Sequence, residues 1–302
     1  MRRHQAEDRS DRVRQPALGL AASGTAAAAW GVAAVFVKLA AVPALVLTFY
    51  RLWVATAILL IATLATRRTL RWRHLATVVP GGILLAADMA CFFSAVKLTS
   101  IADVSVIGAL QPALVLLVAG RMFGEIITRV DMAWTALAIV GVGVVVVGPG
   151  LPTSHHLAGD ALAVASLVAW AGYFVVSKRA RQASGALEYT FGVTLVGAIV
   201  LLPVVLISGE GLEVTRPESW LWIGLLAFVP GTGHLLMNWA HRSVDVSVSS
   251  VVGASNPVFA AGAAWIFLHQ TLDFIQVAGG VIGIAAICVV AGRKRIAPVR
   301  AG

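Results

Sequence analysis

The stretch Ser105-Val106-Ile107-Gly108-Ala109-Leu110-Gln111-Pro112 occurs a second time as Ser250-Val251-Val252-Gly253-Ala254-Ser255-Asn256-Pro257. Five of the eight positions are identical, and the constant offset between the copies is 145 residues. A second match, at an offset of 140, pairs residues 30–38 with residues 170–178, each beginning with tryptophan and ending with lysine. Self-similarity at a fixed period is the sequence signature of internal repeats. The chain therefore consists of two copies of one structural unit.

The composition of the 302 residues excludes a soluble protein. Hydrophobic residues make up 59% of the chain and charged residues only 12%, whereas ordinary globular chains have about 25% charged residues. Mean hydropathy is +0.88. Both cysteines, Cys91 and Cys288, lie in apolar runs, which argues against a disulfide framework or a zinc site. This composition is typical of a multi-spanning membrane protein.

Apolar stretches long enough to cross a bilayer as helices follow one another along almost the whole chain. One crossing needs about 20 residues. Residues 1–16 and 293–302 are expected to be cytoplasmic tails, flanking a first repeat at 17–149 and a second at 158–292. Each repeat has five spans, an odd number, so the second enters the membrane inverted, and the predicted fold class is an all-α integral membrane protein with two inverted five-helix repeats. The ten expected spans lie near residues 17–38, 44–66, 75–97, 101–121, 131–149, 158–178, 187–208, 219–241, 246–268 and 273–292.

The distribution of basic residues predicts the orientation. With the N-terminus in the cytoplasm, 19 of the 23 lysines and arginines fall in cytoplasmic segments and three fall outside, which is a strong positive-inside bias. We therefore expect both termini in the cytoplasm. The net charge of +9 follows from this topology, so no nucleic-acid partner is indicated. The abundance of Ala, Val, Gly and Arg is typical of a GC-rich bacterial source, and hence indicates a bacterial cytoplasmic membrane.

Two inverted repeats predict a function as well as a fold. They provide two related packings of the same halves, one open to each side of the membrane, around a site near the midplane. This arrangement predicts a secondary transporter that moves a small polar metabolite by alternating access. Two alternatives stay open: an integral membrane enzyme acting on a lipid or isoprenoid, and a membrane subunit that transports nothing. Since the sequence contains no Walker A loop, dinucleotide fingerprint or HExxH motif, neither a cofactor nor a metal is expected.

The chain resembles the EamA-type members of the drug/metabolite transporter superfamily over nearly all of its length after residue 16. The resemblance implies export of amino acids or related small metabolites without ATP hydrolysis. The second repeat departs from the family pattern, because His269-Gln270 stands where Gly-Glu is expected. A charge-dependent role of Glu125 in the first repeat would therefore have no counterpart in the second repeat. The motifs that carry the resemblance are Ala29-Trp30-Gly31, Arg51, Gln111-Pro112, Gly124-Glu125 and Asn256-Pro257.

Two charged residues inside the spans are candidates for substrate binding and coupling. Arg51 lies about 10 Å and Asp88 about 13 Å below the expected outer edge, at 1.5 Å per helical residue, so a salt bridge between them is geometrically available. Charges in the hydrocarbon are costly and usually functional. We expect Arg51 to bind a substrate carboxylate, and Asp88 to be its partner or a proton carrier. The competing interpretations are a permanent structural ion pair and an arginine that extends to the interface.

Paired polar and aromatic residues lie near the middle of the matching spans. Gln111 and Asn256 each precede a proline, which removes a backbone hydrogen bond and kinks a helix. We expect these amides at the binding site or hinge, although each could merely stabilise its own kink. Trp30 and Trp170 are expected to line the cavity, and the alternative for them is core packing. Three further aromatic residues are expected on the same wall, namely Tyr173, Phe92 and Trp239.

His234 is the second coupling candidate, one turn from Asn238 on the eighth span. A histidine can titrate near neutral pH, so protons or another ion are possible coupling partners. The alternative is that His234 has a structural role and forms an interhelical hydrogen bond. Charged residues at span ends, including Glu125 and Lys178, are expected to be interface anchors or topological charges. The substrate, the direction of transport and the oligomeric state do not follow from the sequence.

Overall fold

The computed structural model describes residues 2–67, 75–99, 104, 107–147, 157–268 and 274–296. All regular secondary structure in these residues is helical. The first repeat contains α1 (Arg2–Gly31), α2 (Ala33–Leu39), α3 (Ala44–Ala65), α4 (Leu75–Leu98), α5 (Gln111–Phe123) and α6 (Arg129–Val147). The second contains α7 (Leu157–Arg181), α8 (Ala186–Ser208), α9 (Glu218–Ala240), α10 (Val246–Gly253), α11 (Asn256–Leu268) and α12 (Phe274–Ile296).

These helices form ten membrane spans in two repeats, as predicted. The first span consists of α1 and α2, and the ninth of α10 and α11, whereas α5 is the second half of the fourth. Seven stretches of the described chain are long and apolar enough to cross a membrane by themselves, and two shorter apolar helices accompany them. The chain is therefore a multi-pass membrane protein.

The fourth and ninth spans are interrupted at equivalent positions. Leu110 N–H donates to the Ile107 carbonyl over 3.1 Å, and its counterpart Ser255 N–H donates to Val252 over the same distance. These short-range bonds replace regular helix bonds beside Pro112 and Pro257, which have no N–H to donate. The two sequence copies, which are 145 residues apart, thus have equivalent backbone hydrogen bonds at the break. The interruptions of the two helices beside the prolines agree with the predicted kinks.

The first span differs from its single-helix prediction. It is interrupted at Val32, between α1 and α2, whereas its counterpart α7 runs unbroken past Trp170. Next to the interruption, a Cβ added to Gly31 would lie 2.6 Å from Phe259 Cβ and 2.9 Å from Ala260 N. The lack of a side chain at Gly31 therefore permits close packing on α11. At its other end, α1 begins at Arg2, so helical backbone extends through the segment expected as a tail.

The two repeats are packed into each other rather than side by side. Helix α4 packs on α7, and the equivalent pair α9 and α1 packs in the same way. The pairs α4 with α8 and α9 with α3 repeat this correspondence, and α6 packs against its own counterpart α12. Most of the extensive helix contacts thus join one repeat to the other. The site at their interface is built from both repeats.

The contact between α6 and α12 depends on glycine. A Cβ on Gly141 would lie 2.5 Å from the backbone nitrogen of Gly283, and one on Gly279 would lie 2.7 Å from the Val144 side chain. Small residues at such crossings let helix backbones approach closely in a membrane. The glycines of the fifth and tenth spans therefore serve helix packing.

Two ends of the bundle can be distinguished by their contacts. We call the end that carries Arg67, Arg121, Arg129, Arg179, Arg242 and Arg293 the arginine face. There, Arg293 forms an ion pair with Asp131 at 3.4 Å. At the opposite face, Lys97 Nζ donates to the Ala40 carbonyl over 2.6 Å, and Thr99 Oγ1 donates to Asp160 over 3.0 Å. Each face is thus joined by contacts between span ends that the alternating topology places together.

Candidate functional site

A cavity of about 130 Å³ lies between the two repeats. A single buried water needs roughly 10–15 Å³, so the cavity has room for a small metabolite. Its lining runs from the breaks in the fourth and ninth spans to Val104 and Ala163, on the side of the opposite face. Eight of the candidate residues singled out from the sequence share this lining, namely Trp30, Arg51, Asp88, Phe92, Gln111, Trp170, His234 and Asn256.

Among the described residues, Arg51 is the only arginine on the lining of this cavity, and it is 3% exposed. Its Nε donates to the Leu226 carbonyl over 3.0 Å, and its Nη1 contacts the Met89 sulfur. The guanidinium also lies 5.8 Å from the centre of the Phe93 ring. Within the described part of the chain, Nη2 has no hydrogen-bond partner. The side chain is therefore held in place with one donor group left for a ligand.

Asp88 lines the same cavity and is held by a neutral partner. Ser166 Oγ donates to Asp88 Oδ1 over 2.7 Å. Among the described residues, no partner is within hydrogen-bond distance of Oδ2, and no ion pair joins Asp88 to Arg51. Both charges are thus fixed by other groups, and neither neutralises the other by direct contact. The salt bridge that the sequence left open is not formed in this conformation.

The breaks in the fourth and ninth spans place two helix N-termini at the cavity. Helix α5 begins at Gln111 and α11 at Asn256, and both residues line the cavity. Gln111 is 2% exposed, and its Nε2 has no partner among the described residues. The N-terminus of a helix carries a partial positive charge. The N–H groups of Ala113 and Val258 already donate to the Leu110 and Ser255 carbonyls, so the helix dipole, and not a set of free N–H groups, is what these two ends contribute. Together with Arg51, the two ends make this region favourable for an anionic group.

Aromatic rings form the floor of the cavity on the side of the arginine face. Trp30 and Trp170 meet edge to face with ring centres 4.9 Å apart, and Trp30 Nε1 donates to the Pro230 carbonyl over 3.2 Å. Phe92 also lines the cavity. Tyr173 does not: it stacks under Trp170 at 5.4 Å, one layer deeper. Trp239, expected on the same wall, lies on the outer surface of the bundle and is 43% exposed.

His234 and Asn238 lie on one face of α9 but have different surroundings. The His234 ring is 5.2 Å from the Trp30 ring and 5.5 Å from the Trp170 ring. Its Nδ1 is buried and has no partner among the described residues. Asn238 is fully buried below it, where its amide donates to Tyr173 and Thr190 over 2.8 and 3.0 Å. His234 therefore contacts the cavity, and Asn238 fixes the layer beneath.

Glu125 makes a contact that sequence reasoning missed. Its carboxylate accepts hydrogen bonds from Val246 N–H at 2.8 Å, from Ser247 N–H at 3.2 Å and from the Ser247 hydroxyl. It therefore caps the first turn of α10, in the other repeat. Beside it, Lys178 Nζ donates to the Val244 carbonyl. We call the bonds from Glu125 to α10 the Glu125 cap, and they link the two repeats at the arginine face, below the cavity floor.

The described residues include no group of three or more His, Cys, Asp and Glu side chains that could hold a metal ion. Cys91 and Cys288 are both free thiols. The described lining of the cavity offers charged groups, amides and aromatic rings to a ligand.

Comparison with known proteins gives one family. A family model described as the EamA-like transporter family matches residues 17–147 and, a second time, residues 157–292. The pseudopaline exporter CntI of Pseudomonas aeruginosa is 25% identical over 260 residues, which cover 85% of this chain and 88% of the relative. The threonine/homoserine exporter RhtA of Salmonella typhimurium is 29% identical over 156 residues, which cover 49% and 50%.

A solved crystal structure has the same fold. It superposes with a TM-score of 0.77 at 21% identity, covering 92% of this chain and 98% of the other. At this level of identity the likeness concerns the fold alone. The two family matches, one on each repeat, carry the functional information.

Proposed function

Because the chain belongs to the EamA-like transporter family and is a membrane transporter, we propose that it exports amino acids or closely related metabolites as a secondary carrier. The bias of basic residues towards the arginine face supports a cytoplasmic location for that face and for both termini. The bacterial cytoplasmic membrane is the corresponding site of action. The family assignment favours a carrier over the membrane enzyme and the non-transporting subunit.

One observation carries the proposed substrate class: Arg51 and Asp88 line one cavity without pairing. Two opposite buried charges that do not neutralise each other are costly unless ligands or fixed dipoles compensate them. A zwitterion supplies both compensating charges at once. An α-amino acid can place its carboxylate against Arg51 Nη2 and its ammonium group against Asp88 Oδ2.

The helix breaks support the same orientation of the substrate. The N-termini of α5 and α11 favour the carboxylate, and the amides of Gln111 and Asn256 can donate to it or accept from the ammonium group. Trp30 and Trp170 would close the floor beneath the bound molecule. Among the named relatives, the threonine/homoserine exporter carries amino acids, which supports this class.

The position of the cavity and of the Glu125 cap supports alternating access. The lining of the cavity reaches Val104 and Ala163 on the side of the opposite face, whereas the Glu125 cap joins the two repeats at the arginine face. Release of the cap, with closure around Val104 and Ala163, would expose the same residues to the cytoplasm. The inverted repeats provide this second packing.

The proposed function is tested by measuring export. Cells that express the protein and load a threonine-containing dipeptide should release free amino acid faster than cells with empty vector, by at least about threefold, because the carrier adds a route through the membrane. Untargeted mass spectrometry of the medium measures the release and reports other metabolites. Equal release of every metabolite from both cell types, at confirmed membrane abundance, would contradict the proposal.

The position of Asp88 on the cavity lining leads to a prediction about the coupling of transport to protons. Its carboxylate can hold either a proton or the substrate ammonium group, but not both, so proton and substrate would exchange across the membrane. We expect Asp88→Asn to abolish acceleration by a pH gradient in proteoliposomes. Flux of labelled threonine with and without the gradient measures this. Asp160→Asn, at the opposite face, is the matched control, and a gradient response retained in Asp88→Asn would eliminate the coupling role.

A further inference from the structure

A second pocket of about 210 Å³ lies between α3, α4, α8 and α9, on the arginine-face side of Arg51. We call it the lateral pocket. Its residues extend along α3 from Arg51 to Ala62 and along α9 from Ala227 to Leu235. Its mouth lies where Ile58 and Phe228 are 36% and 60% exposed on the apolar surface of the bundle. In a membrane this mouth opens to the hydrocarbon rather than to water.

A wall one residue thick separates the lateral pocket from the central cavity. Arg51, Met89 and His234 line both spaces. Met89 is unbranched and flexible, and methionine adapts readily to the shape of apolar ligands. His234 is 7% exposed, and its Nδ1 has no partner among the described residues. Met89 is therefore the flexible part of this wall, and we expect a rotation of its side chain to connect the two spaces beside the Arg51 guanidinium.

The rest of the lateral pocket presents apolar surface. Its three threonines, Thr190, Thr194 and Thr232, each donate their hydroxyl to a carbonyl four residues earlier in their own helix, over 2.7 Å. Their methyl groups are thus the parts available to a ligand. The remaining lining between Arg51 and the mouth is aliphatic or aromatic, apart from Gly231 and His234. A chain of methylene groups fits this surface. Beyond the wall formed by Arg51, Met89 and His234, a polar group would meet no unpartnered side chain among the described residues.

We propose that the lateral pocket binds the apolar chain of an amphiphilic amino acid whose carboxylate is held by Arg51. The proposal rests on the function proposed above and deepens it by naming a substrate class. The charged end of the ligand lies in the central cavity, and its chain passes Met89 into the lateral pocket towards the hydrocarbon. Small amino acids use the central cavity alone, and long-chain ones use both spaces.

Gly231 allows the pocket to be filled without disturbing the fold. It lines the lateral pocket, and a Cβ added there meets nothing within 4 Å. Gly224, two turns earlier on α9, is equally open but lines neither space. Leucine has a higher helix propensity than glycine, so Gly231→Leu and Gly224→Leu should both fold. Only the former places a side chain in the path of the ligand chain.

The test compares two α-amino acids that differ only in chain length, 2-aminobutyric acid and 2-aminodecanoic acid. The Kd of each is measured in nanodiscs by quenching of tryptophan fluorescence, since Trp30 and Trp170 line the cavity. Wild type and Gly224→Leu should bind the long acid at least about tenfold more tightly, because buried methylene groups add affinity. Gly231→Leu should lose this preference and keep the Kd for the short acid.

Each other outcome has a distinct meaning. If the short acid binds and Gly231→Leu keeps the same chain-length preference as Gly224→Leu, the proposed role of the lateral pocket is overturned while the proposed function stands. A pocket permanently filled by a bilayer lipid would give equal affinities for both acids in all three proteins, which also overturns it. If neither acid binds to any of the proteins, the proposed function itself fails, and the pocket assignment fails with it.

Discussion

Arg51→Ala should lower kcat/KM for amino-acid export by about 100-fold or more. Removing one partner of a buried, hydrogen-bonded charge pair costs about 2–5 kcal/mol, and about 1.4 kcal/mol corresponds to tenfold. In addition, alanine would remove the positive charge that shares the cavity lining with Asp88. Initial rates of labelled threonine uptake into everted membrane vesicles, normalised to protein abundance, measure the loss.

Two further variants make the Arg51 experiment specific. Arg51→Lys keeps the positive charge but loses the planar fork that matches a carboxylate, so its activity should fall between those of wild type and Arg51→Ala. Arg216→Ala removes an exposed arginine at the opposite face and should leave the rate unchanged. Full activity of Arg51→Ala at equal abundance would show that Arg51 is structural, which is the alternative that the sequence left open.

The fold was predictable because its determinants are local or repetitive. Span number follows from apolar length, and the inverted arrangement follows from an odd number of spans in each repeat. The breaks at Gln111-Pro112 and Asn256-Pro257 were predictable because proline cannot donate a helix hydrogen bond. The interruption at Val32 was not, since it coincides with the close approach of α11 to Gly31, a tertiary contact.

The candidate site was predictable where depth in the membrane was sufficient information. Arg51 and Asp88 lie at similar depth, and the structure places both on one cavity. Depth does not fix the direction of a side chain around its helix, and this is why Trp239 faces outwards. Tyr173 has the same direction as Trp170 but lies one layer deeper, beneath the cavity. The Glu125 cap was missed because its acceptor and donors are 121 residues or more apart. The second repeat gave no indication of this cap, because the position that corresponds to Glu125 is Gln270. Gln270 lies outside the described residues.

Glu125→Gln should shift the protein towards the conformation that is open at the arginine face. Hydrogen bonds to charged groups contribute about 1.5–3 kcal/mol each. A glutamine offers one acceptor oxygen and a donor amide, which cannot accept from the N–H groups of Val246 and Ser247. Losing one such bond changes the conformational equilibrium by at least about tenfold. Ser247→Ala, which removes only the hydroxyl donor, should have a smaller effect in the same direction.

Cysteine labelling measures this shift directly. In a background of Cys91→Ser and Cys288→Ser, a cysteine introduced by Ala254→Cys lies on the cavity lining, at the break in the ninth span. With Glu125→Gln, an impermeant maleimide should label it at least about tenfold faster from the arginine face, if the Glu125 cap closes that route as proposed. Glu218→Gln, an exposed carboxylate at the opposite face, is the charge-matched control. Identical labelling rates in both variants would show that the closure depends on the packing of the repeats and not on Glu125. A faster rate in Glu125→Gln alone would identify this one carboxylate, present in only one repeat, as the reason that the two packings differ in stability.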